Sequence, residues 1–367
     1  MLLLIIRVLY GFTGAAMVLA ALTSAIETFV LPRAVSDVIV RGVFVAVRRV
    51  FSTYTNTMAE YAQRDSAMAL FSPMLLLLLA LAWVVMIMAG YTLLFLAAGE
   101  PSWADAFLLS GSSLLTLGFS TVDGIPEAAL AFSEAALGLV LIALLISYLP
   151  TMYSAFARRE AAVTLLAVRA GEPPFAAELL SRYQRIKGMG QLSDLWRSWE
   201  VWFAEIEESH TSYPALVFFR SPQPGHSWVT AAGTILDAAA LRSAVLNLPR
   251  DSQADLTLRA GYLALRRIAD YFGIRYPENP QFPETPISIS KEEFLQACAE
   301  MHANHVPLRA DLDQAWRDFA GWRVNYDAVV LALAVLTVAP YAQWTSDRTL
   351  PAQRLPRRLS LGLPRRR

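Results

Sequence analysis

Two acidic residues, Glu27 and Glu134, stand inside long apolar stretches of this chain. An acid is costly in such a setting, so by default it marks a place where a proton or cation is handled. For Glu27 a second reading stands beside the first: it sits at the end of its run and reaches the interface or pairs with Arg33. Cys298, His302 and His305 fall at spacings of four and three on one expected helix, a pattern that holds zinc only with a fourth ligand or water. The bland reading makes Cys298 a small core hydrophobe, and no metal is expected. His210, Arg220, His226 and Asp237 flank a helix break and are candidates for a pocket, although nothing in their spacing makes them converge. The chain has no Walker loop, no G-x-G-x-x-G after a strand and no G-x-S-x-G, so an enzyme has no constellation to rest on.

The elements that carry these residues follow from how apolar residues are distributed. The chain has 367 residues, 55% of them apolar and 17% charged, with zero formal net charge. A single cysteine excludes an intrachain disulfide framework. The apolar excess lies before residue 150, in runs at Met1–Val30, Pro73–Ala98 and Ala131–Met152. Each reaches the ~20 residues that a helix needs to cross ~30 Å of hydrocarbon. Only helices satisfy their own backbone there, so the expected class is an all-α membrane protein. The first run also contains Ala20-Ala21-Leu22-Thr23-Ser24-Ala25, which resembles a signal-peptide cleavage region, but it lacks a positive leading segment.

The loops fix an orientation. Residues 31–70 carry Arg33, Arg41, Arg48, Arg49 and Arg64, whereas residues 99–130 carry no Lys or Arg. Arg158, Arg159 and Arg169 follow the third run. The positive-inside rule then places the N-terminus outside, 31–70 inside, 99–130 outside and the C-terminal half in the cytoplasm, in the plasma or inner membrane. The segment 34–51 is too charged to span. It is either an interfacial helix at the inner leaflet or a helix packed on protein.

The outer segment is the most informative. Ser102-Trp103-Ala104-Asp105 is an S-x-x-D capping box that opens the apolar run Ala106–Leu115, so a helix of nine to thirteen residues is expected. That is too short to span, and Thr116-Leu117-Gly118-Phe119-Ser120-Thr121 follows it. Span, short capped helix, T-x-G-aromatic, acid, proline and span together resemble the pore module of the two-helix potassium channels. Ser113 to Phe119 resembles that family's filter approach. The likeness covers about residues 73–155. It implies a homotetramer whose filter, Thr116, Leu117, Gly118, Phe119 and Ser120, replaces the hydration shell of a permeant K+ with backbone carbonyls. It also implies a hinge at Gly138 and a gate-shaping bend at Pro150, with close helix packing as the alternative for Gly138. Glu134 would brace the filter from behind. The chain departs from the family at Ser120-Thr121, where Gly-Asp is usual; the nearest acid is Asp123. Non-selective cation conduction, and a non-conducting sensor or scaffold with a channel-like anchor, are therefore the alternatives.

The expected organisation is an N-terminal helix and interfacial helix (1–70), a pore module with a re-entrant helix (71–155), a helical cytoplasmic domain (156–345) and a basic tail (346–367). Helices are expected at 192–209, 228–246 and 254–272, with a second capping box at Ser290–Glu293. Ala328–Ala339 is apolar but short, a core helix or a fourth crossing. The Arg-rich tail either binds anionic lipid or is solvated without a partner. No cofactor is expected, and nothing points to nucleic acid.

Overall fold

The computed structural model of the chain describes residues 1–30, 37–55, 57–58, 60–122 and 124–348. Arg33, Asp123 and the basic tail from residue 349 onward lie outside the described residues. Within them every regular element is helical, beside one isolated antiparallel bridge between Leu246 and Leu308. The chain divides into two compact units: Met1–Thr57 with Leu70–Tyr153, and Met58–Ala69 with the chain from Ser154 onward.

The helices up to residue 170 are α1 (Leu2–Phe29), α2 (Val38–Thr55), α3 (Tyr61–Ala69), α4 (Phe71–Ala98), α5 (Trp103–Leu114) and α6 (Ile125–Ala170). Three helices, among them α1 and α6, are long and apolar enough to cross a membrane; the third includes α4. In the first unit α1 and α4 run antiparallel with their backbones touching. A Cβ on Gly14 would lie 2.5 Å from the Gly90 carbonyl oxygen, and one on Gly90 would lie 2.9 Å from that of Gly14. Hydrocarbon gives apolar helices no drive to associate, so close approach over small residues supplies the packing. Further along the pair, the buried Trp83 indole donates to Ser24 Oγ at 2.9 Å. Phe29 then meets Trp83 and Tyr148 edge to face, with centroids 5.1 and 4.8 Å apart.

On α2, Phe44 and Val47 are buried, and Phe44 and Phe51 meet Phe71 edge-on. For this segment, then, contacts of the protein-packed kind are present on its apolar face. Tyr61 and Asp65 of α3 belong to the other unit, where Arg220 pairs with Asp65 at 3.2 Å. The segment 1–70 is therefore not one compact piece. The helix that carries the third run extends past its apolar part: α6 has 46 residues in all, with Pro150 inside it. A proline removes one helical donor. The Ala-, Leu-, Arg- and Glu-rich stretch 155–170 has the propensity to carry the helix on.

The second unit adds α7 (Ala176–Arg185), α8 (Leu192–Ser212), α9 (Trp228–Val245), α10 (Ser252–Tyr271), α11 (Lys291–Ala303), α12 (Leu312–Arg323) and α13 (Asp327–Thr337). Almost every residue of α9 is buried, so this helix is the axis on which α7, α10, α12 and α13 pack. Its one carboxylate, Asp237, is reached by fully buried Arg323 at 2.5 Å and by Tyr326 Oη at 2.9 Å. Arg323 also holds Asp327 at 2.8 Å and the Trp344 carbonyl at 2.6 Å. Burial of the ion pair is thus compensated on both sides.

Replacing Gly14 by Ala puts a methyl group on the Gly90 carbonyl and is expected to lower the stability of the purified protein by about 1–3 kcal/mol. Gly42 of α2 has open space where a Cβ would go. Gly42→Ala should therefore be neutral or stabilising by up to about 1 kcal/mol. Thermal melts in one detergent compare the two, and equal losses would contradict the backbone contact.

Candidate functional site

The short helix α5 and the loop behind it hold most of the residues singled out in the first unit. Ser102 starts α5 in an extended conformation, and its Oγ accepts from the Asp105 amide at 3.1 Å. The Asp105 carboxylate takes the Ser102 hydroxyl proton at 2.6 Å. The twelve residues of α5 extend about 18 Å at 1.5 Å each. Its buried face, Ala106, Leu109, Ser110 and Leu114, packs within the apolar core of the unit.

Its C-terminal end closes on itself. Thr116 N–H donates to the Ser113 carbonyl at 3.1 Å and Leu117 N–H to the Ser112 carbonyl at 2.8 Å, the paired bonds of a Schellman cap. The same Ser112 carbonyl takes Gly118 N–H at 3.4 Å, and Ser112 Oγ takes Ser120 N–H at 3.1 Å. The cap requires a left-handed residue, and here it is Thr116, at φ +54°. A β-branched residue in that region costs about 1–2 kcal/mol. Gly118, at φ +71°, occupies the conformation glycine tolerates best. The amide protons of Leu117, Gly118 and Ser120 are thus spent on Ser112 and that of Thr116 on Ser113. Among the described residues the carbonyls of Thr116, Leu117, Gly118 and Phe119 accept no hydrogen bond. These four residues are exposed, and Leu117 and Phe119 each retain 61% of their surface.

Two residues of α6 support this end from below. A Cβ on Gly138 would run into the Leu114 carbonyl, so the close-packing role is the one its contacts supply. Glu134 is fully buried, with Oε1 2.6 Å from Ser110 Oγ, which in turn lies 3.0 Å from the Met88 carbonyl. One hydroxyl proton cannot serve both acceptors. A protonated Glu134 that donates to Ser110, while Ser110 donates to Met88, fills the set. Oε2 of Glu134 has no partner. Glu27 and Pro150 stand apart from the loop: the Phe29–Tyr148 contact places both near the opposite end of the unit. Glu27 is half-buried in the last turn of α1.

The candidates in the second unit do not converge. His210 faces Arg159, Arg220 faces Asp65, His226 lies 3.0 Å from Glu172, and Asp237 joins Arg323. Cys298 is buried, and burial pushes its thiol up to about 12. His302 and His305 are exposed, and His305 lies beyond the end of α11 with φ +60°. The three expected on one face are therefore not brought together, because α11 ends at Ala303 before it can carry His305.

No protein-family model, no curated protein and no solved structure matches this chain. The site therefore rests on its own geometry.

His210 is buried, with Nε2 3.1 Å from Arg159 Nη1. A guanidinium only donates, so Nε2 accepts and the ring is neutral. Burial, then the Arg159 charge, hold the His210 pKa well below its usual value. The unfolded chain takes up a proton near pH 6.5 and the folded chain does so only at lower pH. The stabilisation is therefore present above about pH 6.5 and lost below it, by up to about 1.4 kcal/mol per pH unit. Denaturant titrations at stepped pH should show this slope, and His210→Gln should remove it. In the first unit, Glu134→Gln should preserve stability to within about 1 kcal/mol, because a neutral donor replaces a neutral donor. Glu134→Leu should lose more, by removing the donor that Ser110 Oγ accepts from. A large loss with Gln would contradict the protonated carboxyl.

Proposed function

We propose that the chain is one subunit of a homotetrameric cation channel, with potassium as the permeant ion. The observation that carries this reading is the asymmetry of the loop after α5. Three of its N–H groups bond Ser112 and one bonds Ser113, while the carbonyls of four successive exposed residues, 116–119, accept no hydrogen bond among the described residues. Backbone oxygens that no group of the chain engages are open to a partner from outside it. A cation that has shed its water is such a partner. One loop supplies only part of a coordination shell, so copies arranged around an axis are required. The C-terminal end of α5 carries the negative end of the helix dipole beside those carbonyls, which favours positive charge.

In this reading α5 is the pore helix, Thr116–Ser120 the filter and α6 the pore-lining helix, as in the potassium channels that the motif resembles. Residues 99–130 face outside and the second unit lies in the cytoplasm, following the arginine distribution. One observation favours weak selectivity as the second reading. Ser120 stands where the family has glycine, and its amide is tied to Ser112 Oγ, so the outer end of the filter is held differently.

Purified protein in liposomes should pass potassium down its gradient. Gly118→Ala should abolish the flux, because alanine is strained by about 1 kcal/mol or more at φ +71°. Potassium flux well above sodium supports the first reading and equal fluxes the second. Absence of cation flux in the unmodified protein, or a monomeric purified protein, rejects the pore and leaves a membrane-anchored scaffold.

A further inference from the structure

The second unit carries an open cleft that the pore reading does not use. It lies between the last turn of α9, the start of α10, the segment at Arg309 and the C-terminal half of α12. Four arginines line it: Arg242, Arg250, Arg309 and Arg317.

The acids of the cleft are already occupied. Asp251 caps α10 through the Gln253 amide at 3.1 Å and accepts the Ser193 hydroxyl at 2.9 Å. Asp255 takes Ser243 Oγ at 3.0 Å and Arg250 at 2.9 Å. Asp318 accepts from Gln314 at 2.7 Å and stands 3.6 Å from Arg309, too far for a strong bond. The arginines are less fully spent. Buried Arg242 donates to the Pro249 carbonyl at 2.6 Å, and Arg317 donates to Gln314 Oε1 at 2.8 Å, both neutral acceptors. Arg309 is held in place by its backbone: its N–H donates to the Val245 carbonyl at 2.9 Å, and its Nη2 reaches the Ser243 carbonyl at 3.1 Å.

Three guanidinium groups whose hydrogen bonds go to neutral acceptors therefore line one opening, with Asp318 in a long ion pair to Arg309. Each presents a planar fork of donors matched to an oxyanion. A phosphate supplies about two negative charges and several acceptor oxygens, enough to engage more than one fork. Trp322 adds a flat indole to the lining, and Gly321 leaves open space where a Cβ would stand. We propose that this cleft binds a small phosphate-bearing molecule, with the phosphate on Arg242, Arg309 and Arg317 and any ring of the ligand against Trp322. The proposal is independent of ion conduction.

Calorimetric titration of the full chain in phosphatidylcholine nanodiscs tests it without a flux measurement. Pyrophosphate and ATP are the probes, at constant ionic strength. Saturable binding of at least one is expected, weakened about tenfold or more in Arg309→Gln and in Arg317→Gln. Trp322→Leu should weaken ATP and leave pyrophosphate unchanged if the ring is read. Equal effects on both would confine recognition to the phosphate and still support the site. Arg309 and Arg317 are partly or largely exposed, so these variants are expected to fold, and a thermal melt confirms it. Absence of saturable binding for both probes, or binding unchanged in the folded Arg309→Gln and Arg317→Gln proteins, overturns the proposal.

Discussion

The first unit is organised by the need to finish a short helix that packs on its apolar core. Helix α5 ends after twelve residues, and its last carbonyls and the amides that follow must find partners within the chain. Ser112 answers most of that need alone. Its carbonyl takes two loop amides and its hydroxyl a third. Everything around the loop is consistent with this closure. Thr116 accepts a left-handed backbone to let the chain double back, Gly118 takes the second left-handed position at little cost, and Gly138 offers a flat helix face beneath the Leu114 carbonyl. Four of the loop amides have partners in the chain and the carbonyls of 116–119 have none among the described residues, and that imbalance gives the loop its chemical character.

The two units solve packing by different physics. In the first, backbone-to-backbone approach at Gly14 and Gly90 stands in for the hydrophobic drive that lipid withholds. In the second, α9 is buried on nearly every side and the core is built of aromatic and aliphatic side chains. Charge is treated differently as well. Glu134 has one serine for a partner and one oxygen without any, so a neutral acid suits it. Arg323 instead sits among Asp237, Asp327 and a carbonyl, an arrangement in which it remains a cation. Its acid partners raise its pKa in spite of burial.

Much of the fold was legible because its signals are local. Long charge-free runs announce helices that can cross a bilayer, Ser102 and Ser290 announce helix starts through the spacing to Asp105 and Glu293, and Gly273 announces a stop. Boundaries set by competition were less legible. The apolar run stops near Met152, yet the helix formers that follow carry α6 on to Ala170. Segment 58–69 reads as an appendage of the first helices, but Asp65 belongs with Arg220, far away in sequence. An ion pair between residues so distant leaves no trace in spacing.

The site divides along the same line. Gly118 is conspicuous because glycine after T-x implies a special backbone, and Glu134 because an acid in an apolar run is conspicuous anywhere. Ser112 is not: serine in a short apolar helix is unremarkable until the loop folds back on it. Thr116 is concealed for the opposite reason, since a β-branched residue argues against the left-handed conformation it adopts. Strain of this kind persists only where surrounding bonds over-determine the backbone, and here the bonds to Ser112 and Ser113 do so. A strained, exposed loop held by its donors alone is a poor way merely to connect two helices. Its bonds to Ser112 and Ser113 make the loop, more than the helices around it, the part of the first unit whose backbone is specified residue by residue.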